Sequence, residues 1–298
     1  MQFETIGVVG CGLMGHGIAQ VAAAQGKKQV VVVEAVPEAL AKGLARIEHS
    51  LTKLHQKAVE KGKLTAEAAQ QGIAEARGRI RGVLELDALQ ACDLVIEAVV
   101  EELDAKNRLW RQLAGICRPD TVFASNTSSF PIASMAAASG RPARTIGLHF
   151  FNPVQLMQLV EVVRTDATDP AVLAAAIAFG RACGKEPVTC RDTPGFIVNR
   201  LLVPYLVQAL LMVERGDASA DDVDTAMRLG CGHPMGPITL ADYVGLDTTL
   251  SILEGWRGRF PAEPTFVVPE SLRAKVKAGK LGRKSGEGFF AWDGDKRA

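Results

Sequence analysis

The chain has 298 residues, enough for about two domains at the usual ~150 residues each. Lys and Arg number 34 against 33 Asp and Glu, a formal net charge of +1, which argues against nucleic-acid binding; 48% hydrophobic and 22% charged residues exclude a disordered chain. Among the six cysteines, Cys11, Cys92, Cys117, Cys183, Cys190 and Cys231, no pair has the two-residue spacing of zinc or thioredoxin-like sites, so no metal site is expected and the interior is read as reduced and cytoplasmic.

A strand-like run, Thr5-Ile6-Gly7-Val8-Val9, comes almost at once, with no signal-like segment ahead of it, so secretion and organelle import are not expected. Strands are expected at 6–9, 30–33, 94–98, 122–125 and 145–149, separated by helical patterns in the manner of βαβ units. Their near-continuous apolar character suits strands covered by helices on both faces, hence an α/β class with a doubly wound, mostly parallel sheet. A helical region over 37–71 breaks at Gly62-Lys63, and Thr65 is the expected N-cap of its second arm. After about residue 190 the strands give out. Asp192-Thr193-Pro194 reads as a helix start and Ser219-Ala220-Asp221-Asp222 as a capping box. The apolar stretch 196–213 carries Asn199, Arg200, Pro204 and Gln208, which disfavours a membrane span. The expected organisation is an α/β domain over 1–190, with a helical-hairpin insertion, and an all-helical domain over 191–298.

Gly10-Cys11-Gly12-Leu13-Met14-Gly15 lies between the first strand and a helical run. Alone the G-x-G-x-x-G pattern is weak; between strand and helix, with an acid at the right distance, it is the fingerprint of a Rossmann-type dinucleotide site. The first glycine permits the turn, the second admits a pyrophosphate, and the third allows close helix packing. Glu34 closes the second strand 19 residues beyond Gly15, where a carboxylate accepts from ribose hydroxyls and repels a 2′-phosphate, so NAD is expected over NADP. Lys27 and Lys28, just before that strand, are either solvated or a complication to that preference.

His149 closes the strand at 145–149, and Glu161 sits within Leu159-Val160-Glu161-Val162-Val163, where burial would be costly without a partner. Histidine is a natural partner, either as a satisfied core pair or as a catalytic one. Together with Ser125-Asn126-Thr127-Ser128-Ser129 and Asp192-Thr193-Pro194-Gly195-Phe196-Ile197-Val198-Asn199-Arg200, these residues resemble the L-3-hydroxyacyl-CoA dehydrogenase family, including the bacterial 3-hydroxybutyryl-CoA dehydrogenases. Glu214-Arg215-Gly216-Asp217-Ala218, Pro234-Met235-Gly236-Pro237, Asp242-Tyr243-Val244-Gly245-Leu246-Asp247 and Gly286-Glu287-Gly288-Phe289 carry the likeness over nearly the whole chain.

The resemblance implies that His149 is a general base, that Glu161 orients it, and that Ser128 and Asn199 complete the catalytic and substrate site. It implies cofactor contacts from Gly10, Cys11, Gly12, Leu13, Met14, Gly15, Glu34, Glu101, Lys106, Asn126, Ser128 and Lys284. It further implies contacts to CoA from Ser50 and Lys57. Lys53, Lys57 and Lys61 recur every four residues, as a stripe for CoA phosphates or as an ordinary solvated face. Glu101, Lys106, Asn126 and Lys284 have an alternative reading as solvated helix-end charge or loop polarity. His16, His49, His55 and His233 have no comparable setting and are taken as non-catalytic. Two departures stand out: Glu34 where the family more often has Asp, and a turn, Gly26-Lys27-Lys28-Gln29, one residue longer.

The activity so implied is NAD-dependent interconversion of a (S)-3-hydroxyacyl-CoA and the 3-ketoacyl-CoA. An L-gulonate-type sugar-acid dehydrogenase and an idle, crystallin-like NAD-binding protein are the alternatives. An acyl-CoA is the expected partner, with no nucleic acid and no membrane, and the apolar run 201–213 is read as a homodimer surface or a core helix.

Overall fold

Short β-branched runs that are apolar at every position can only be stable where both faces of a strand are covered, and the first unit of the chain is built that way. In the computed structural model, which describes residues 1–298, strands and helices alternate except where α2 leads into α3, β3 into β4 and β6 into β7. They run β1 (Thr5–Val9), α1 (Gly15–Ala24), β2 (Gln29–Val33), α2 (Pro37–Glu60), α3 (Ala66–Gly78), β3 (Ile80–Val83), β4 (Leu94–Glu97), α4 (Leu103–Ile116), β5 (Val122–Ser125), α5 (Ile132–Ser139), β6 (Thr145–Phe150), β7 (Leu159–Arg164), α6 (Pro170–Ala182) and β8 (Glu186–Arg191). One eight-stranded sheet has the order β3-β2-β1-β4-β5-β6-β7-β8. Every neighbouring pair is parallel except β6 with β7.

Successive side chains along each strand feed two separate cores. Ile6, Val8, Val30, Val32, Leu94 and Ile96 pack with Ile18 of α1, Leu51 of α2 and Val172 of α6. Val9, Val31, Val33, Val95 and Phe123 pack on the other face with Trp110 of α4 and Met135 of α5. Each such fully buried side chain contributes roughly 1.5–3 kcal/mol. The two strands without an apolar signature, β3 and β8, are the two edges of the sheet, where Arg81, Glu186 and Thr189 need not be buried.

The helical region breaks between α2, which ends at Glu60, and α3, which the Thr65 hydroxyl caps by accepting from the Ala68 N–H at 3.2 Å. Asp192-Thr193-Pro194, in contrast, starts no helix. The next helix begins at Val198, and the Asp192 carboxylate accepts instead from the N–H groups of Ile132 and Ala133, at 3.0 and 2.8 Å, in the first turn of α5. The chain divides into Met1–Phe196 and Ile197–Ala298, not at 190/191, because β8 runs to Arg191 and Phe196 is buried in the second core.

The second unit comprises α7 (Val198–Glu214), α8 (Ala220–Cys231), α9 (Pro237–Val244), α10 (Leu246–Arg259), α11 (Glu270–Lys277) and a two-stranded ribbon, β9 (Trp292–Asp293) with β10 (Lys296–Arg297). Its core gathers Leu206, Leu210, Ile238, Leu253 and Trp256. Ser219 caps α8 through the Asp222 N–H, while its own hydroxyl donates to the Asp222 carboxylate. Buried Asp242 accepts from the N–H groups of Phe289 and Phe290 and from the Trp292 indole, which fastens the C-terminal segment. No helix is long and apolar enough to cross a membrane.

Replacing Asp192 removes two charge-assisted bonds to otherwise orphaned helix N–H groups. Asp192→Ala is expected to lower stability by about 1–2 kcal/mol in urea unfolding, with Asp192→Asn losing less.

Candidate active site

The turn from β1 into α1 carries the glycine motif. Gly10 has a φ of +95°, a conformation that favours glycine. A Cβ on Gly15 would lie 1.8 Å from the Gly10 carbonyl oxygen, so only glycine lets the helix start this close to the strand. A Cβ on Gly12 would meet nothing within 4 Å, and Gly12 lines a cavity of ≈ 430 Å³ together with Gly10, Glu34, Ala98 and Val100. An open face on a backbone turn at a helix N-terminus fits a pyrophosphate. Cys11 points the other way, buried against Gly43 of α2, and burial with the nearby Glu34 charge pushes its thiol up to about 11.

Glu34 sits just past β2, one carboxylate oxygen accepting from the Cys11 N–H at 3.0 Å and the other from the Val36 N–H at 3.3 Å. It thus braces the glycine turn while lining the cavity. Lys28 lies at the opposite end of β2 and pairs with Glu4 at 3.0 Å, so it leaves the setting of Glu34 untouched.

His149 and Glu161 face each other across β6 and β7, directly opposite in the antiparallel register. The His149 Nδ1 lies 2.7 Å from a Glu161 carboxylate oxygen; the histidine is 6% exposed and the glutamate 0%. Desolvating a carboxylate so completely costs several kcal/mol unless it is paired, and the imidazole is that partner. Phe151 and Phe196 pack against the imidazole, ring centroids 4.5 and 5.6 Å away. The segment after β6, with a cis Asn152–Pro153 bond, is held by buried Lys185, which donates to the Val154 and Met157 carbonyls.

The segment after β5 is organised around two carboxylates. Glu101 accepts from the Thr127 hydroxyl at 2.5 Å, the Ser128 N–H at 3.2 Å and the Ser129 hydroxyl at 2.8 Å. The Asn126 side-chain carbonyl accepts from the Phe150 N–H, tying the end of β5 to the residue after His149. Lys106 is buried, its ammonium 2.5 Å from Glu97 and 3.0 Å from Glu101. It is therefore no solvated helix-end charge. Glu97 escaped the sequence reading; an acid closing the apolar run Leu94-Val95-Ile96-Glu97 was the available signal.

The remaining expected positions belong to other elements. Ser50, half-buried, and Lys57, exposed, lie along α2, with Lys53 on the same helix and Lys61 just past its end. In the second unit Asn199 sits in the first turn of α7, and Lys284 pairs with Asp247 at 2.5 Å.

This fold and this glycine turn define a dinucleotide-binding α/β protein. The family model for the 3-hydroxyacyl-CoA dehydrogenase NAD binding domain matches residues 5–193, and that for the C-terminal domain of the same enzymes matches residues 195–292. The chain belongs to the 3-hydroxyacyl-CoA dehydrogenase family. It is 47% identical over 286 residues to the mitochondrial hydroxyacyl-coenzyme A dehydrogenase of Rattus norvegicus, covering 96% of this chain and 90% of that one. A probable 3-hydroxybutyryl-CoA dehydrogenase of Deinococcus radiodurans is 47% identical, covering 96% and 99%. The crystal structure of (S)-3-hydroxybutyryl-CoA dehydrogenase from Ralstonia eutropha superposes with a TM-score of 0.91 at 41% identity, over 98% of this chain and 100% of that one.

The two inner glycines are expected to fail in different ways. Gly12→Ala should fold with stability within about 0.5 kcal/mol of the parent, as an unobstructed surface change does, yet bind NADH at least about tenfold more weakly by fluorescence titration. Gly15→Ala should lose roughly 2 kcal/mol or more of folding stability through its backbone clash.

Proposed function

We propose that the chain oxidises the 3-hydroxyl of (S)-3-hydroxyacyl-CoA thioesters to the 3-ketone with NAD, and catalyses the reverse reduction, with His149 as the proton acceptor. Membership of the 3-hydroxyacyl-CoA dehydrogenase family supports the reaction, and the buried His149–Glu161 contact at 2.7 Å is the observation that carries the residue roles. Bound NAD supplies the hydride acceptor.

With Nδ1 committed to Glu161, Nε2 is the nitrogen left to take the hydroxyl proton. Glu161 keeps the proton on Nδ1, orients the ring and stabilises the imidazolium once it forms. In the reductive direction His149 returns the proton as an acid. Ser128, held through its N–H on Glu101, presents its hydroxyl to the reacting oxygen, and Asn199 keeps the role the resemblance gives it, a second donor to that oxygen. Glu34 disfavours a 2′-phosphate by charge, so NAD is preferred over NADP. Ser50 and Lys57 serve the CoA portion.

We also read the protein as cytoplasmic and homodimeric. Its six cysteines are free, as a reducing compartment requires, and Leu201 and Leu229 of the second unit are 68% and 78% exposed, apolar surface that a second copy would cover. Light scattering should give twice 31.7 kDa; a mass of 31.7 kDa contradicts the dimer.

The reaction is tested by following NADH absorbance on addition of acetoacetyl-CoA, where turnover and competition by free CoA are expected; a sugar-acid enzyme would show neither. His149→Ala is expected to lose at least about a hundredfold in turnover while NADH binding holds. Retained turnover in that variant would refute His149 as the base.

A further inference from the structure

The charges behind the segment after β5 do not balance. Lys106, 1% exposed, is the one ammonium between Glu97, 0% exposed, and Glu101, whose side chain is 39% exposed. Glu97 meets donors only: the Val99 N–H at 3.1 Å, the Lys106 ammonium at 2.5 Å and the Ser125 hydroxyl at 2.7 Å. Burial acts to raise the Glu101 carboxyl, but the Lys106 charge and hydrogen bonds from Thr127, Lys106 and Ser129 outweigh it and hold it low. Two carboxylates against one ammonium leave a formal charge of −1; Glu97 and Lys106 are out of water, where a charge is felt further, while Glu101 is partly exposed.

The array occupies a defined position relative to the dinucleotide site. Strand order reverses between β1 and β4, and a dinucleotide spans that switch point. With its pyrophosphate on the Gly10–Gly15 turn and its adenosine ribose at Glu34, past β2, the other nucleotide must extend over the carboxyl ends of β4 and β5. Those ends carry Glu97 and Ser125. Ala98, Val99 and Val100, the residues joining Glu97 to Glu101, line the same cavity as Gly12 and Glu34.

We propose that the Glu97–Lys106–Glu101 array sets which redox form of the cofactor is held more tightly, its surplus negative charge favouring the cationic nicotinamide of oxidised NAD over the neutral ring of NADH. Glu97 is then a positioning residue. Wholly buried, it acts through its charge, through Lys106 and Glu101, and through the Ser125 hydroxyl, which itself accepts from the Thr127 N–H at 3.1 Å. The proposal rests on the NAD site described above and goes beyond it, since that site would bind both redox forms whatever their relative affinity.

Glu97→Gln keeps the size of the side chain and an acceptor for Ser125 while removing one charge. Dissociation constants for oxidised NAD, by calorimetry, and for NADH, by fluorescence, are compared between parent and variant. The expected result is a loss of about tenfold for oxidised NAD and less than about threefold for NADH, so that the ratio of the two constants rises; a purely structural role would weaken both alike. Glu101→Gln, at a half-exposed position, removes the same charge and must move the ratio in the same direction, which keeps the test open if Glu97→Gln fails to fold. An unchanged ratio in either folded variant overturns the proposal. A parent protein that binds neither nucleotide overturns the NAD site itself, and this proposal with it.

Discussion

Between β6 and β7 the sheet reverses direction, and that reversal sets His149 directly across from Glu161. In an antiparallel pair opposed residues share a face, so an imidazole and a carboxylate at these two positions must meet. Both are buried, and Glu161 would be costly to desolvate without its partner. The pairing therefore stabilises the sheet at this point and fixes the ring of the histidine in the same step. The proposed proton transfer depends on that coincidence of fold and chemistry.

The same device recurs. Buried carboxylates here join separate elements: Glu97 ties β4 to Ser125 of β5 and to Lys106 of α4, and Asp242 ties α9 to the C-terminal ribbon. Asp192, half-buried, does so by capping α5. Each replaces water around the carboxylate with fixed donors, which is the condition for burying it at all. The consequence for the site is rigidity. The segment Ser125–Ser129 is held through Glu97 and Glu101, so its small polar groups are placed before any ligand arrives.

Much of this was legible in the sequence wherever the determinant is local. The glycine turn, the acid after β2, the Thr65 and Ser219 caps and the doubly covered strands each depend on residues within a few positions of one another. Edge strands β3 and β8 were not legible, because half-exposed strands tolerate Arg81 and Thr189 and lose the apolar signature. Asp192 was misread for a related reason: an acid before a Pro looks like a local cap, whereas its partners lie about sixty residues away. Glu97 carried no mark of its importance, since nothing in its neighbourhood along the chain shows that Lys106 and Ser125 fold onto it. His149 and Glu161 were paired through the cost of burying an acid and through family resemblance, while the register that joins them belongs to the sheet.

The tautomer of His149 is the most direct gauge of the Glu161 pairing. With the five histidines labelled with 15N and the His149 signals assigned by their loss in His149→Asn, spectra of the neutral imidazole report which ring nitrogen carries the proton. A proton on Nδ1 and a bare Nε2 are predicted, with that preference weakened in Glu161→Gln. A proton on Nε2 in the parent protein would contradict the assignment of His149 as a base oriented by Glu161.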